Sequence, residues 1–203
     1  MKDKIKLFKA EVKKAASNPE FIHRQWFVKY HLEIVEKIAN ELLEFYPKAD
    51  KELVEALVWL HDYGKILDFD NQDEVVLTAG RHKLAELGFD KEFIDRVIKY
   101  AELMDKSTEI DLGQAPIEAQ IVSSADGCAH MVGPFMSIWW QENSNKSVES
   151  LMADTKKKAN KDWSRKITLP EARKAFEQRH NFIMEQSGDL PDNYLADINR
   201  TTP

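Results

Sequence analysis

The chain has 203 residues, a hydrophobic share of 43% and a formal net charge of −6. That length suits one domain with a sizeable core, and no apolar run approaches the roughly 18 residues that a membrane span needs. The single cysteine, Cys128, excludes an internal disulfide and any cysteine-rich metal motif, and the start at Met1 lacks a signal-peptide core, so a cytoplasmic protein with no membrane partner is expected.

The charge is uneven. Residues 156 to 179 carry nine Lys or Arg against three acids, which makes that segment +6 and the remainder −12. The segment reads either as a solvated lysine-rich surface or as a patch that draws a phosphate-bearing substrate or nucleic acid. Acidity of the chain as a whole argues against a dedicated nucleic-acid binder.

Helical patterning dominates from the start. Ile5, Phe8 and Val12 share one side of a first helix ending near Ala16. Asn18-Pro19 predicts a helix start, and Phe27, His31, Ile34, Ile38, Leu42 and Phe45 form the stripe of a long helix from Glu20 to Tyr46, stopped by Pro47. Asp50 caps the next helix, with Leu53, Leu57 and His61 on one face. Asn71 and Glu74 have capping-box spacing for a helix to about Leu87, which Gly88 closes. Asp90 caps a helix to about Met104, and 105 to 113 is loop. Pro116 opens a helix with Ile117, Ile121, Val122 and Ala125 inward, and Pro134 predicts a kink. Phe135 to Trp140 should pack back on the core. Ser147 to Lys158 is helical, and so is Pro170 to Met184, with Thr168 as its cap. No strand-period alternation, repeat or low-complexity tract is present. The expected fold is all-α, with residues 1–186 as a single helical bundle-like domain and 187–203 as an irregular tail.

Three of the six histidines, His31, His61 and His82, stand where the pattern expects core residues. Asp126 falls on the face of Ala119 and Val122. A carboxylate buried there needs a partner, since burying it alone costs several kcal/mol, and a divalent cation accepts imidazole and carboxylate together. Taken singly, each histidine also suits a hydrogen-bonded core position, and Asp126 also suits a turn. His61 and Asp62 are neighbours and converge on one ion only where a helix ends, which Gly64 favours.

The pieces resemble the HD-domain superfamily of metal-dependent phosphohydrolases. His31 looks like the first ligand of that family. Leu60-His61-Asp62-Tyr63-Gly64-Lys65 is similar to its signature, and Asp126 in Ser124-Ala125-Asp126-Gly127 looks like the last ligand. The resemblance covers about residues 20–135. It implies an all-helical fold, a divalent ion held by His31, His61, Asp62 and Asp126, and hydrolysis of a phosphorylated small molecule such as a nucleotide. The mixed N/O ligand set points to Mn, Fe, Ni, Co or Zn, with Mg also open. Two-metal members use further histidines. His82 takes a family-like place, but Val97 to Glu102 contains no histidine, so one ion is expected. Asp62, Lys65 and His82 are then the candidate catalytic residues: Asp62 to orient water, Lys65 to bind phosphate, and His82 to hold phosphate or protonate the leaving oxygen. Arg24 is a weaker candidate for the pocket mouth. Glu33 and Glu102 read as solvated acids, and His130 as a group behind the ligands or as a surface or core residue. His23 and His180 are left out. Two rival readings stand: a non-catalytic metal-stabilised binding or regulatory domain, and a nucleic-acid-associated protein using residues 156–179. Exposed apolar groups near Trp139 and Trp140 would point to a homo-oligomer.

Overall fold

The structure is a computed structural model that describes residues 1–106 and 109–190. The described residues are helical, without strands. In order they form α1 (Lys2–Ala16), α2 (Glu33–Leu43), α3 (Lys51–Leu60), α4 (Tyr63–Leu67), α5 (Gln72–Glu86), α6 (Lys91–Asp105), α7 (Ile117–Ala129), α8 (Phe135–Glu142), α9 (Val148–Lys161) and α10 (Pro170–Gln186). Among the described residues, no helix is long and apolar enough to cross a membrane.

Two helices form the centre. On α3 every residue from Leu53 to Leu60 except Glu55 is buried, and on α7 every residue from Glu118 to Ala129 except Gln120 is buried. A helix apolar on all sides belongs in a core, with others around it. Accordingly α1, α2, α6 and α7 all pack on α3, and α2 packs closely on α7. Trp59, on α3, is core: its ring is 1% exposed and its Nε1 donates to Glu36 Oε1 at 3.1 Å. At the far end, the Tyr46 hydroxyl donates to Glu171 Oε2 at 2.6 Å and ties α10 to the turn after α2.

Asp50 and Asp90 each accept a backbone N–H three residues on, as the sequence predicts, and Ser147 does the same just before α9. Elsewhere the expected boundaries shift. The segment after Asn18-Pro19 makes successive turns, not helix, up to Phe27. A π-helical turn, Val28–Leu32, then leads into α2. Its wider turn rotates the buried face, so Leu32 and Val35 are buried while Ile34 lies at the core's edge. Because α2 ends at Leu43, Phe45 falls in a turn and is exposed. Asn71 makes no cap bond. Asp68 organises that turn instead, accepting from the Asn71 backbone and side chain at 3.3 and 2.9 Å. Thr168 does not cap α10 either: the residue before Pro170 is Leu169, held extended. The helix through Asp126 stops at Ala129, and Gly133, with φ of 61°, makes the turn before α8. The end of the tail, 191–203, lies outside the described residues.

Candidate metal centre

Each predicted ligand arrives from a buried element. His31 stands in the π-helical turn before α2 and is 1% exposed. Asp126 is on α7 and 3% exposed. His61 and Asp62 occupy the joint where α3 ends and α4 begins, with Asp62 at φ −109° and ψ 12°. That break in the helix lets adjacent side chains turn to one point.

His31 Nε2 is 2.9 Å from Asp62 Oδ2 and 3.5 Å from Asp126 Oδ1. His61 Nε2 is 3.4 Å from Asp62 Oδ2 and 3.7 Å from Asp126 Oδ1. Adjacent ligands about 2.1 Å from one ion sit roughly 3.0–3.4 Å from each other, and these four separations, from 2.9 to 3.7 Å, bracket that range. His61 supplies a further test of fit. Its Nδ1–H donates to Val58 O at 2.7 Å, which in the neutral ring leaves the Nε2 lone pair facing two carboxylates. That buried Nε2 has no hydrogen-bond partner among the described residues. Only a positive charge, whether proton or metal ion, makes this arrangement favourable.

The carboxylates are divided in the same sense. Asp62 turns Oδ2 to the histidines and Oδ1 to Lys65 Nζ at 2.7 Å. Asp126 turns Oδ1 to the histidines and Oδ2 to Lys166 Nζ at 2.5 Å. Burial opposes charge on both acids, but Lys65 and His61 beside Asp62, and Lys166 and His130 beside Asp126, hold both well below the usual carboxylate range. Burial keeps His31 below its ordinary value, so its ring is neutral. Burial also works against a charged His61, yet Asp62 and Asp126 outweigh it and raise its pKa.

Part of the site comes from the C-terminal third. A second π-helical turn, Asp162–Lys166, follows α9 and lies against α7. Gly127 makes that approach feasible: a Cβ there would stand 2.8 Å from Ile167 Cγ1 and 3.1 Å from Lys166 Cβ. Ser123 Oγ donates to Lys166 O at 3.1 Å, and Ser124 Oγ accepts from the N–H groups of Thr168 and Leu169 at 3.1 and 3.3 Å. These bonds fix Lys166 over Asp126. Lys158 Nζ lies 3.3 Å from Asp162 Oδ2, which also accepts from His130 Nδ1 at 2.9 Å. The basic segment is thus partly a wall of the site. No local pattern announces this, although its excess of positive charge was visible.

A cavity of about 760 Å³ lies over these groups. It is lined by His31, His61, Asp62, Lys65, Asp126 and Lys166, together with an aromatic wall that includes Trp26, Phe135 and Trp139. It reaches the surface beside Ile22 and Phe69, which are exposed. His23 also lines it, paired with Glu142, contrary to its exclusion on sequence grounds. His180 stands apart, stacked on Trp163 at 4.4 Å. Arg24 is turned away to Pro19 O, Glu33 pairs with Lys13, and Glu102 pairs with Lys106.

His82 is not brought to the site. On α5 the inward residues are Val76, Gly80 and Leu84, and His82 stands exposed outside the cavity lining. A catalytic part for it therefore has no geometric support. His82→Ala should leave ion affinity and any turnover within about 2-fold of wild type, as for a surface substitution; titration calorimetry beside an activity assay checks this.

The family model for the HD domain matches residues 28–131, just over half of the chain. The chain belongs to the HD-domain family. The match spans the π-helical turn with His31, the His61-Asp62 joint and α7 with Asp126, and leaves Lys158, Asp162 and Lys166 outside it. No curated protein and no solved structure gives a significant match. HD domains are typical of metal-dependent hydrolases, and the His/Asp groups of this one, His31 with His61 and Asp62, and His31 with Asp126 and His130, are spaced to hold a metal.

Titration of the site follows from its electrostatics. A raised pKa means that His61 keeps its proton to higher pH, and a cation must displace that proton. His31 is lowered and both carboxylates are already ionised, so neither contributes a proton near neutrality. Ion affinity should therefore rise with pH through neutrality, with about one proton released per ion. Calorimetry in buffers of different ionisation enthalpy counts that proton.

Proposed function

We propose that this HD domain is a one-metal phosphohydrolase acting on a phosphorylated small molecule, with nucleotides the first class to try. The observation that carries this reading is the paired environment of the two buried carboxylates, each with one oxygen toward the histidines and the other on a lysine. His31, His61, Asp62 and Asp126 would hold the ion, which could be Mn, Fe, Co, Ni, Zn or Mg. When bound, it supplies Lewis-acid polarisation of a phosphoryl oxygen or a water of lowered pKa.

Charge around the ligands supports a phosphate ester. Asp62, Asp126 and Asp162 carry three negative charges, and Lys65, Lys158 and Lys166 carry three positive ones. Asp105, whose pKa burial raises to about 7, and Glu142, paired with His23, also line the cavity, and a divalent ion beside the balanced lysine–carboxylate pairs adds two positive charges that suit an anionic phosphate. Lys65 and Lys166 pair with different carboxylates of the ligand cluster and would bind the non-bridging oxygens as point charges. The remaining oxygen lone pairs of Asp62 and Asp126 would orient the attacking water. Trp26, Phe135 and Trp139 offer aromatic faces for the organic part of the substrate. The opening beside Ile22 and Phe69 favours turnover over the reading of a sealed, metal-stabilised binding domain.

The test is phosphate release from a panel of nucleotides and other phosphomonoesters, with each ion in turn. Turnover of at least one class, lost in Asp62→Asn, is expected. Ion binding with no turnover on any of them would favour the non-catalytic binding reading.

A further inference from the structure

The ligand set inferred from the family leaves one imidazole at the centre unexplained. His130 follows Asp126 by one helical turn and is 5% exposed. Its Nε2 lies 3.4 Å from Asp126 Oδ1, the same oxygen that faces His31 and His61. Its ring is parallel to that of His31, with centroids 5.1 Å apart and planes 3° apart, so the two imidazoles are presented side by side.

The proton on His130 is placed by its other neighbour. Nδ1 is 2.9 Å from Asp162 Oδ2, and that carboxylate is buried and also faces Lys158. An ionised carboxylate only accepts, so Nδ1 carries the hydrogen and Nε2 the lone pair. The lone pair then points at a carboxylate oxygen, as it does at His61. A carboxylate behind an imidazole, fixing its tautomer and raising its basicity, is the usual outer partner of a metal-bound histidine.

We propose that His130 is a fifth protein ligand of the ion, with Asp162 as its orienting carboxylate. This rests on the metal-site reading above and extends it. The ion would then have three imidazole nitrogens and two carboxylate oxygens around it. Five protein donors leave one position of an octahedron for water or a substrate oxygen. Such a set favours ions at ease with six ligands, Mn, Fe, Co or Ni, over tetrahedral Zn. It also gives the C-terminal third a defined part: α9 and its π-helical turn supply Asp162, the group that holds His130 in its ligating tautomer.

The test uses the full chain loaded with Co(II), whose visible absorption reports the number and type of ligands. Wild type, His130→Ala, His130→Gln and Asp162→Asn are compared for absorption and for affinity by competition with a chelator. Circular dichroism confirms folding, and the glutamine variant keeps a polar side chain of similar size should alanine loosen the turn. Expected are a changed band shape with at least about a 10-fold loss of affinity in both His130 variants, and about a 10-fold loss in Asp162→Asn. A folded His130→Gln protein with wild-type absorption and affinity would overturn the proposal and leave the four-ligand site intact. Failure of wild type itself to take up Co(II) would overturn both.

Discussion

Gly64→Ala should destabilise the protein by about 3 kcal/mol or more, a loss large for any single substitution. A Cβ at position 64 would lie 2.0 Å from Gln72 O and 2.8 Å from Val76 N. Both are backbone atoms of the first turn of α5 or its immediate continuation, so no rotamer change relieves the overlap. Helix α4 would have to move away from α5, its closest neighbour. Because α4 begins at Tyr63, that movement drags the Asp62 joint and Lys65 with it. For a chain of this size, a melting point lower by roughly 6–12 °C is expected, together with weakened ion binding. A thermal melt of the metal-free protein isolates the packing effect. Gly80→Ala provides the contrast, since its Cβ meets Leu60 Cδ1, the end of a side chain that can shift.

Asp126→Asn should have the largest effect on the site. The amide keeps the shape but removes the charge that faces His31, His61 and His130 on one oxygen and Lys166 on the other. Ion affinity is expected to fall by at least about 100-fold, because a proposed anionic ligand is lost. The metal-free protein should also lose about 2 kcal/mol. That is less than the roughly 3–5 kcal/mol of a fully buried broken pair, because the Lys166 side chain keeps 22% of its surface in solvent. Lys166→Met separates the two effects: it costs stability by leaving Asp126 less compensated, yet removes no proposed ligand. Calorimetric ion titration and chemical denaturation of both variants read the difference.

Much of the frame was legible because it is locally encoded. Asp50 and Asp90 cap helices through bonds that span three residues. His31, His61 and Asp126 stood out as polar groups on apolar faces, Asp62 as the neighbour of His61 at a helix end, and the structure gathers them. What escaped depends on contacts with no local signature. Lys166 reaches Asp126 across 40 residues of chain, through the space that Gly127 leaves open. The sequence suggested that Gly64 ends a helix, whereas its missing side chain lets α4 lie against α5. His82 followed a helical pattern that fitted more than one face, and the packing of α5 turned it outward. The two π-helical turns, one bearing His31 and the other Asp162 and Lys166, also lie outside a 3.6-residue pattern. Such turns often occur where a functional side chain is re-aimed.

Elemental analysis of protein purified without added metal, beside His61→Ala, decides whether the buried His/Asp cluster holds a metal. About one transition ion per chain is expected in wild type, or uptake of about one when Mn, Co, Ni or Zn is supplied, with loss of that ion in the variant. A wild-type protein that binds none of these ions, with His61 instead protonated against Asp62 and Asp126, would contradict the metal-centre reading.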